Sequence, residues 1–160
     1  MSAAQVLTRP TPDVPATDGK RVSGMAEPKL RLLSISANPD DHSSLDRMID
    51  HQAWQLATAR TCRSAFSLLE QDFEVVIADG LLPDGTWRDI LTHTVHMDRP
   101  PKLIVTSRLA DAYLWSEVLN LGGFDVLAKP FLESEVQQVL ASITRHRGQP
   151  GRRTRTAGGM

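Results

Sequence analysis

The chain has 160 residues, 41% of them hydrophobic and 23% charged, with a formal charge of −1. That length suits one domain with terminal extensions. No apolar run reaches the roughly 18–20 residues of a membrane span, and residues 1–28 lack the apolar stretch of a secretory signal. The single cysteine, Cys62, excludes an internal disulfide and has no companions in a metal-ligand pattern. These features point to a cytoplasmic protein without a membrane partner.

The small net charge hides an asymmetry. Between Lys29 and Thr144, ten Lys or Arg stand against sixteen Asp or Glu, whereas Arg145, Arg147, Arg152, Arg153 and Arg155 follow with no acid among them. The basic end reads as a solvated tail, and nucleic acid is not an expected partner.

Residues 1–28, with Pro10, Pro12, Pro15 and Pro28 and no apolar period, read as a disordered extension. Leu30–Ser36 is predicted to be a strand. Pro39-Asp40-Asp41 then opens a helix with acids at the positive end of its dipole, and Leu45, Met48, Ile49 and Gln52 trace one face. Trp54–Ala59 is the second strand. Thr61 caps a helix carrying Ala65, Phe66, Leu68 and Leu69. Phe73–Ala78, apolar on both faces, reads as a buried parallel strand. Pro83-Asp84-Gly85 makes a turn, and Thr86 with Asp89 forms a capping-box pattern before Ile90, Leu91 and Val95. After Pro100-Pro101 comes a strand over Lys102–Thr106. Leu109–Leu121 is predicted helical and stops at Gly122-Gly123. Phe124–Ala128 is the last strand, and Leu132, Val136, Val139, Leu140 and Ile143 mark the buried face of a final helix. Five βα units in succession predict an α/β, flavodoxin-like doubly wound (βα)5 sandwich on a five-stranded parallel sheet.

Three of these strands end in polar residues suited to phosphoryl chemistry: the carboxylate of Asp79, the hydroxyl of Thr106 and the ammonium of Lys129. Ligands of open parallel sheets collect past the carboxyl ends of the strands, so the three are expected to converge on one crevice. Trp87 is expected to cover the nearby loop or core. Tyr113 and Trp115 are read either as a partner surface or as packing residues. The five histidines are read as surface residues without metal-ligand grouping.

In this order and spacing the residues resemble the receiver domain of two-component response regulators, over Leu30 to about His146. Asp79 matches the phosphorylated aspartate at the end of strand 3, and Pro83 the proline four positions later. Thr106 matches the strand 4 hydroxyl residue, and Lys129-Pro130-Phe131 the Lys-Pro pair and the aromatic that follow strand 5. The resemblance implies three segments: an extension over 1–28, a receiver-like domain over 29–146 and a tail over 147–160. It also implies roles. Asp79 is the phosphoacceptor, Thr106 and Lys129 contact the phosphoryl group and drive the switch, and Pro83 and Pro130 shape the loops.

Two positions depart from the family pattern. Receivers carry two acids at the end of strand 1 that help hold a divalent cation, and the aligned residues here are Ser36 and Ala37. Neither supplies a carboxylate to a hard ion such as Mg²⁺. Asp40 and Asp41 are read as acids of the first helical turn, the alternative being that Asn38, Asp40 or Asp41 reaches into the site. That leaves Asp79 as the one matched metal-ligand position, in a site of zero net charge with Lys129 that has little reason to concentrate Mg²⁺. The second departure is Val126, where receivers often carry an aromatic ring that swings inward on activation.

The expected function is that of a single-domain response regulator in a phosphorelay. It accepts a phosphoryl group on Asp79 from a histidine kinase or phosphotransfer protein and signals by contacting a downstream protein, without being an enzyme. The alternative is a degenerate receiver-like adaptor that binds partners independently of phosphate. A homodimer face on the two last helices is left open. An Asp-based phosphohydrolase is disfavoured because Leu81 stands where a second acid is needed. Dinucleotide binding is disfavoured because no Gly-rich loop follows the first strand.

Overall fold

The structure, a computed structural model, describes residues 29–147. The expected extension over 1–28 lies outside the described residues, as does the expected tail over 147–160 except Arg147, which ends the last helix. Five apolar runs form one parallel sheet: β1 (Leu30–Ile35), β2 (Trp54–Ala59), β3 (Val75–Asp79), β4 (Lys102–Ser107) and β5 (Asp125–Ala128). Their spatial order is β2-β1-β3-β4-β5. Between them run α1 (Pro39–Met48), α2 (Cys62–Leu68), α3 (Trp87–Thr94), α4 (Ala112–Leu121) and, last, α5 (Glu133–Arg147).

Side chains alternate between the two faces of a strand, and each face of this sheet is covered. Leu33, Ile35, Val76, Ala78, Leu103 and Val105 pack with Ala65, Leu69, Ile90 and Val118 of the α2, α3 and α4 side. Leu32, Val75, Ile77, Ile104 and Leu127 pack with Leu45, Ile49, Val136, Leu140 and Ile143 of the α1 and α5 side. Double coverage explains why the central strand β3 is a continuous apolar run, whereas the edge strand β2 carries exposed Gln55 and Thr58. Trp87 belongs to the first of these layers and is buried.

The helix starts follow local chemistry. Asn38 caps α1 by accepting from the Asp40 N–H, with Pro39 in the first turn. Thr86 and Asp89 close a capping box on α3, as the sequence pattern predicts. Helix α4 begins at Ala112 rather than at Leu109, because the Asp111 carboxylate accepts from the Leu114 N–H and so occupies the N-cap. Upstream, the Ser107 hydroxyl holds the Leu109 N–H in a separate turn. Gly122 ends α4 at φ 111°, a conformation that favours glycine. Phe73 and Phe124, predicted to open strands, lie just outside the observed ones, and Gln52 lies beyond α1. The expected turn at Pro83-Asp84-Gly85 closes a small antiparallel ribbon that pairs Leu81–Leu82 with Gly85–Thr86.

Candidate functional site

The register brings the strand ends together. Asp79 is the cross-strand partner of Thr106, and Ser107 is that of Ala128, one residue before Lys129. The Lys129 backbone N–H donates to the Ser107 carbonyl at 3.0 Å, which fixes where the lysine leaves the sheet. Its Nζ lies 3.2 Å from Asp79 Oδ2. The Gly80 N–H donates to both Asp79 Oδ1 and the Thr106 carbonyl, each at 2.9 Å, tying the β3 and β4 ends to one another. Thr106 is buried against this junction. Pro83 lies in the turn of the ribbon after β3, and the Lys129–Pro130 peptide is cis.

A fourth group completes the cluster and corrects the reading of the first helical turn. Asp41 Oδ2 lies 2.8 Å from Lys129 Nζ, closer than Asp79 does, and accepts from the Ser36 hydroxyl at 2.7 Å. Asp41 is buried whereas its neighbour Asp40 is exposed. The cause is helix geometry. Side chains tilt toward the helix N-terminus, so a residue of the first turn reaches back over the strand that feeds the helix. The site therefore carries two carboxylates and one ammonium, a formal net of −1 rather than zero.

Ser36 is buried at the end of β1 and is held from several sides. The Asn38 N–H donates to its Oγ at 3.1 Å, and the His42 Nε2–H donates to its carbonyl at 2.9 Å. His42 Nδ1 pairs with the Ser34 hydroxyl at 2.9 Å. This histidine is thus half-buried and built into the strand end, not a surface residue. Ala37 is exposed and contributes its carbonyl to the Arg60 guanidinium at 3.0 Å. Of the three charged groups, Asp79 is the most open, its side chain 23% exposed against 10% for Lys129 and 12% for Asp41. The carboxylate that solvent reaches most easily is the one at the end of β3.

The loop beyond Asp79 is anchored at the N-terminal end of α2. Asp84 accepts from the backbone N–H groups of Cys62 at 2.7 Å and Arg63 at 3.0 Å, which hold its carboxyl below the ordinary value. Burial, with the Asp84 charge beside it, pushes the Cys62 thiol up to about 11, so it stays protonated near neutral pH. A depressed folded-state carboxyl stabilises the fold above the unfolded value and loses that contribution as pH falls through the folded one. Asp84→Ala should therefore lower the urea midpoint at pH 7. The gap to wild type should narrow as pH drops below about 4 and close only once pH has fallen through the lower folded value, where neither chain carries the charge. A gap that does not change with pH would reject the anchor.

Val126 is half-buried against the layer of the α2, α3 and α4 side. Tyr113 is 79% and Trp115 49% exposed, with the Trp115 indole N–H donating to Asp125 Oδ1 at 3.3 Å. Among the described residues, no three His, Cys, Asp or Glu side chains gather around one point, and no helix is long and apolar enough to cross a membrane.

Comparison with known proteins agrees with this architecture. The chemotaxis response regulator CheY4 of Vibrio cholerae superposes with a TM-score of 0.66, covering 72% of this chain and 99% of that one at 15% identity. The fold is that of a response regulator receiver domain. The receiver domain of a sensor histidine kinase from Pseudomonas aeruginosa, solved with a magnesium ion in its active site cleft, has a TM-score of 0.62 over 71% of this chain and 95% of that one, at 20% identity. In sequence, the chain is 25% identical over 117 residues to the transcriptional regulatory protein YrkP of Bacillus subtilis. That match covers 72% of this chain and half the length of the relative. No protein-family model matches the chain. Within the receiver fold, the ends of β3, β4 and β5 bring Asp79, Thr106 and Lys129 together, and Asp41 joins them from α1.

Proposed function

We propose that the protein is a phosphorelay receiver that takes a phosphoryl group on Asp79 from a phosphohistidine of a histidine kinase or phosphotransfer protein. The observation that carries this reading is the Asp79–Lys129 contact at the crevice mouth, with Thr106 beside it on the next strand. A carboxylate oxygen of Asp79 attacks phosphorus, the P–N bond to the imidazole breaks, and an acyl phosphate forms. Lys129 lies where its charge neutralises oxygens of the transferring group, and positioning with electrostatics is most of what such a transfer needs. The Thr106 hydroxyl is the group on the neighbouring strand end that a phosphorylated Asp79 draws inward. Movement there shifts the β4 end and the loop leading to α4, a local charge event that biases a surface.

The donor set suits Mg²⁺, which takes one or two carboxylates and keeps several waters. Asp41 and Asp79 would hold it, and it would supply charge neutralisation for the phosphoryl oxygens. Output through protein contact is supported by three exposed leucines, each two or three residues past a site residue: Leu81 (76%), Leu109 (78%) and Leu132 (57%). This is signalling rather than enzymatic turnover.

Incubation with Mg²⁺ and a small acyl-phosphate donor, followed by intact-mass measurement, tests the reading. A phosphoryl adduct on wild type that is missing from Asp79→Asn supports it. An unmodified wild type, with both the donor and a histidine kinase, favours the phosphate-independent adaptor instead.

A further inference from the structure

We infer that Asp41, held by Ser36, is this chain's substitute for the strand-end acids as a divalent-cation ligand, and that it competes for the cation with Lys129. The inference deepens the proposal for Asp79 and rests on it. Ser36 occupies the end of β1 where a carboxylate is lacking, yet its hydroxyl holds Asp41 Oδ2 at 2.7 Å, the same oxygen that meets the Lys129 ammonium. The Asn38 N–H and the His42 ring hold Ser36 in turn, so the carboxylate is oriented by groups that are themselves fixed. One ammonium lies within 2.8 Å of Asp41 Oδ2 and 3.2 Å of Asp79 Oδ2, so the two oxygens converge on a single cationic position. A hard dication binding between them must displace Lys129 or share both oxygens with it. Asp40, one residue earlier, is exposed and outside the cluster.

This competition separates two roles that otherwise look alike. A carboxylate that serves only as the lysine's counter-ion changes cation affinity through net charge alone, whereas a ligand also takes a direct metal–oxygen bond with it when removed. Removing the lysine charge frees both oxygens and takes the site from −1 to −2, which strengthens attraction for a dication.

Titrating the full chain with Mn²⁺ and reading the electron paramagnetic resonance of the free ion measures affinity without any phosphoryl donor. Asp41→Asn, which keeps the shape and the Ser36 partner, should weaken Mn²⁺ binding about tenfold or more, as Asp79→Asn does. Lys129→Gln should strengthen it about tenfold, a gain that misfolding cannot produce. Asp41→Asn binding as tightly as wild type, or no binding by either wild type or Lys129→Gln, would overturn the inference. The intact-mass experiment on Asp79 is scored separately. An adduct on Asp79 alongside unchanged Mn²⁺ affinity in Asp41→Asn sinks this inference and leaves the phosphoacceptor reading standing.

Discussion

Lys129→Ala should slow formation of the Asp79 adduct by about 10²-fold, the usual loss when one preorganised charge stabiliser of a transition state is removed. In free energy this is about 2.7 kcal/mol of lost stabilisation. The lysine meets the conditions for so large an effect. Its backbone is pinned to the Ser107 carbonyl and its side chain is only 10% exposed, so water does little to screen the charge it presents. The acceptor itself remains, so the mutant should still reach the adduct given time, unlike Asp79→Asn. A time course by intact mass distinguishes slow labelling from absent labelling. A rate within about threefold of wild type would mean that the ammonium is only a structural counter-ion.

Asp41→Ala should cost about 2 kcal/mol of stability, well above the cost of Asp40→Ala. Losing an acid from a first helical turn costs about 0.5 kcal/mol through the dipole, and that much applies to both positions. Asp41 loses more. The buried Ser36 hydroxyl is left without its acceptor, and Lys129 gives up its shorter contact. The loss stays below the roughly 3–5 kcal/mol of an orphaned buried charge because Lys129 keeps Asp79. Urea unfolding of the two variants decides the matter, since equal midpoints would return Asp41 to the rank of an ordinary helix acid.

That pair also marks the limit of what the sequence conveys. Two adjacent acids after Asn38-Pro39 satisfy a helix-start pattern completely, and the pattern carries no sign of which one turns inward. Only the placement of α1 over the β1 end selects Asp41 and leaves Asp40 in solvent. A serine at the end of a buried strand was the available clue, because a hydroxyl there needs an acceptor. His42 was hidden for a related reason, its partners being a serine two residues up the strand and a backbone carbonyl.

The fold was far easier to read. Strands covered on both faces leave continuous apolar runs, and Thr86 with Asp89 or Gly122 after Leu121 punctuate the helices in ways that local chemistry dictates. Boundaries slipped where two signals competed, as when Asp111 captured the α4 N-cap that apolar spacing had put near Leu109. The strand ends were predicted from one rule about parallel sheets, and the register bears out their convergence.

The central claim is that Asp79 receives the phosphoryl group. Borohydride converts an aspartyl phosphate to homoserine, which marks the acceptor permanently for peptide sequencing by mass spectrometry. After treatment with a phosphoryl donor, wild type should carry homoserine at position 79 and at no other aspartate, Asp41 included. Homoserine at another position, or none in a chain that has gained phosphoryl mass, would contradict the account.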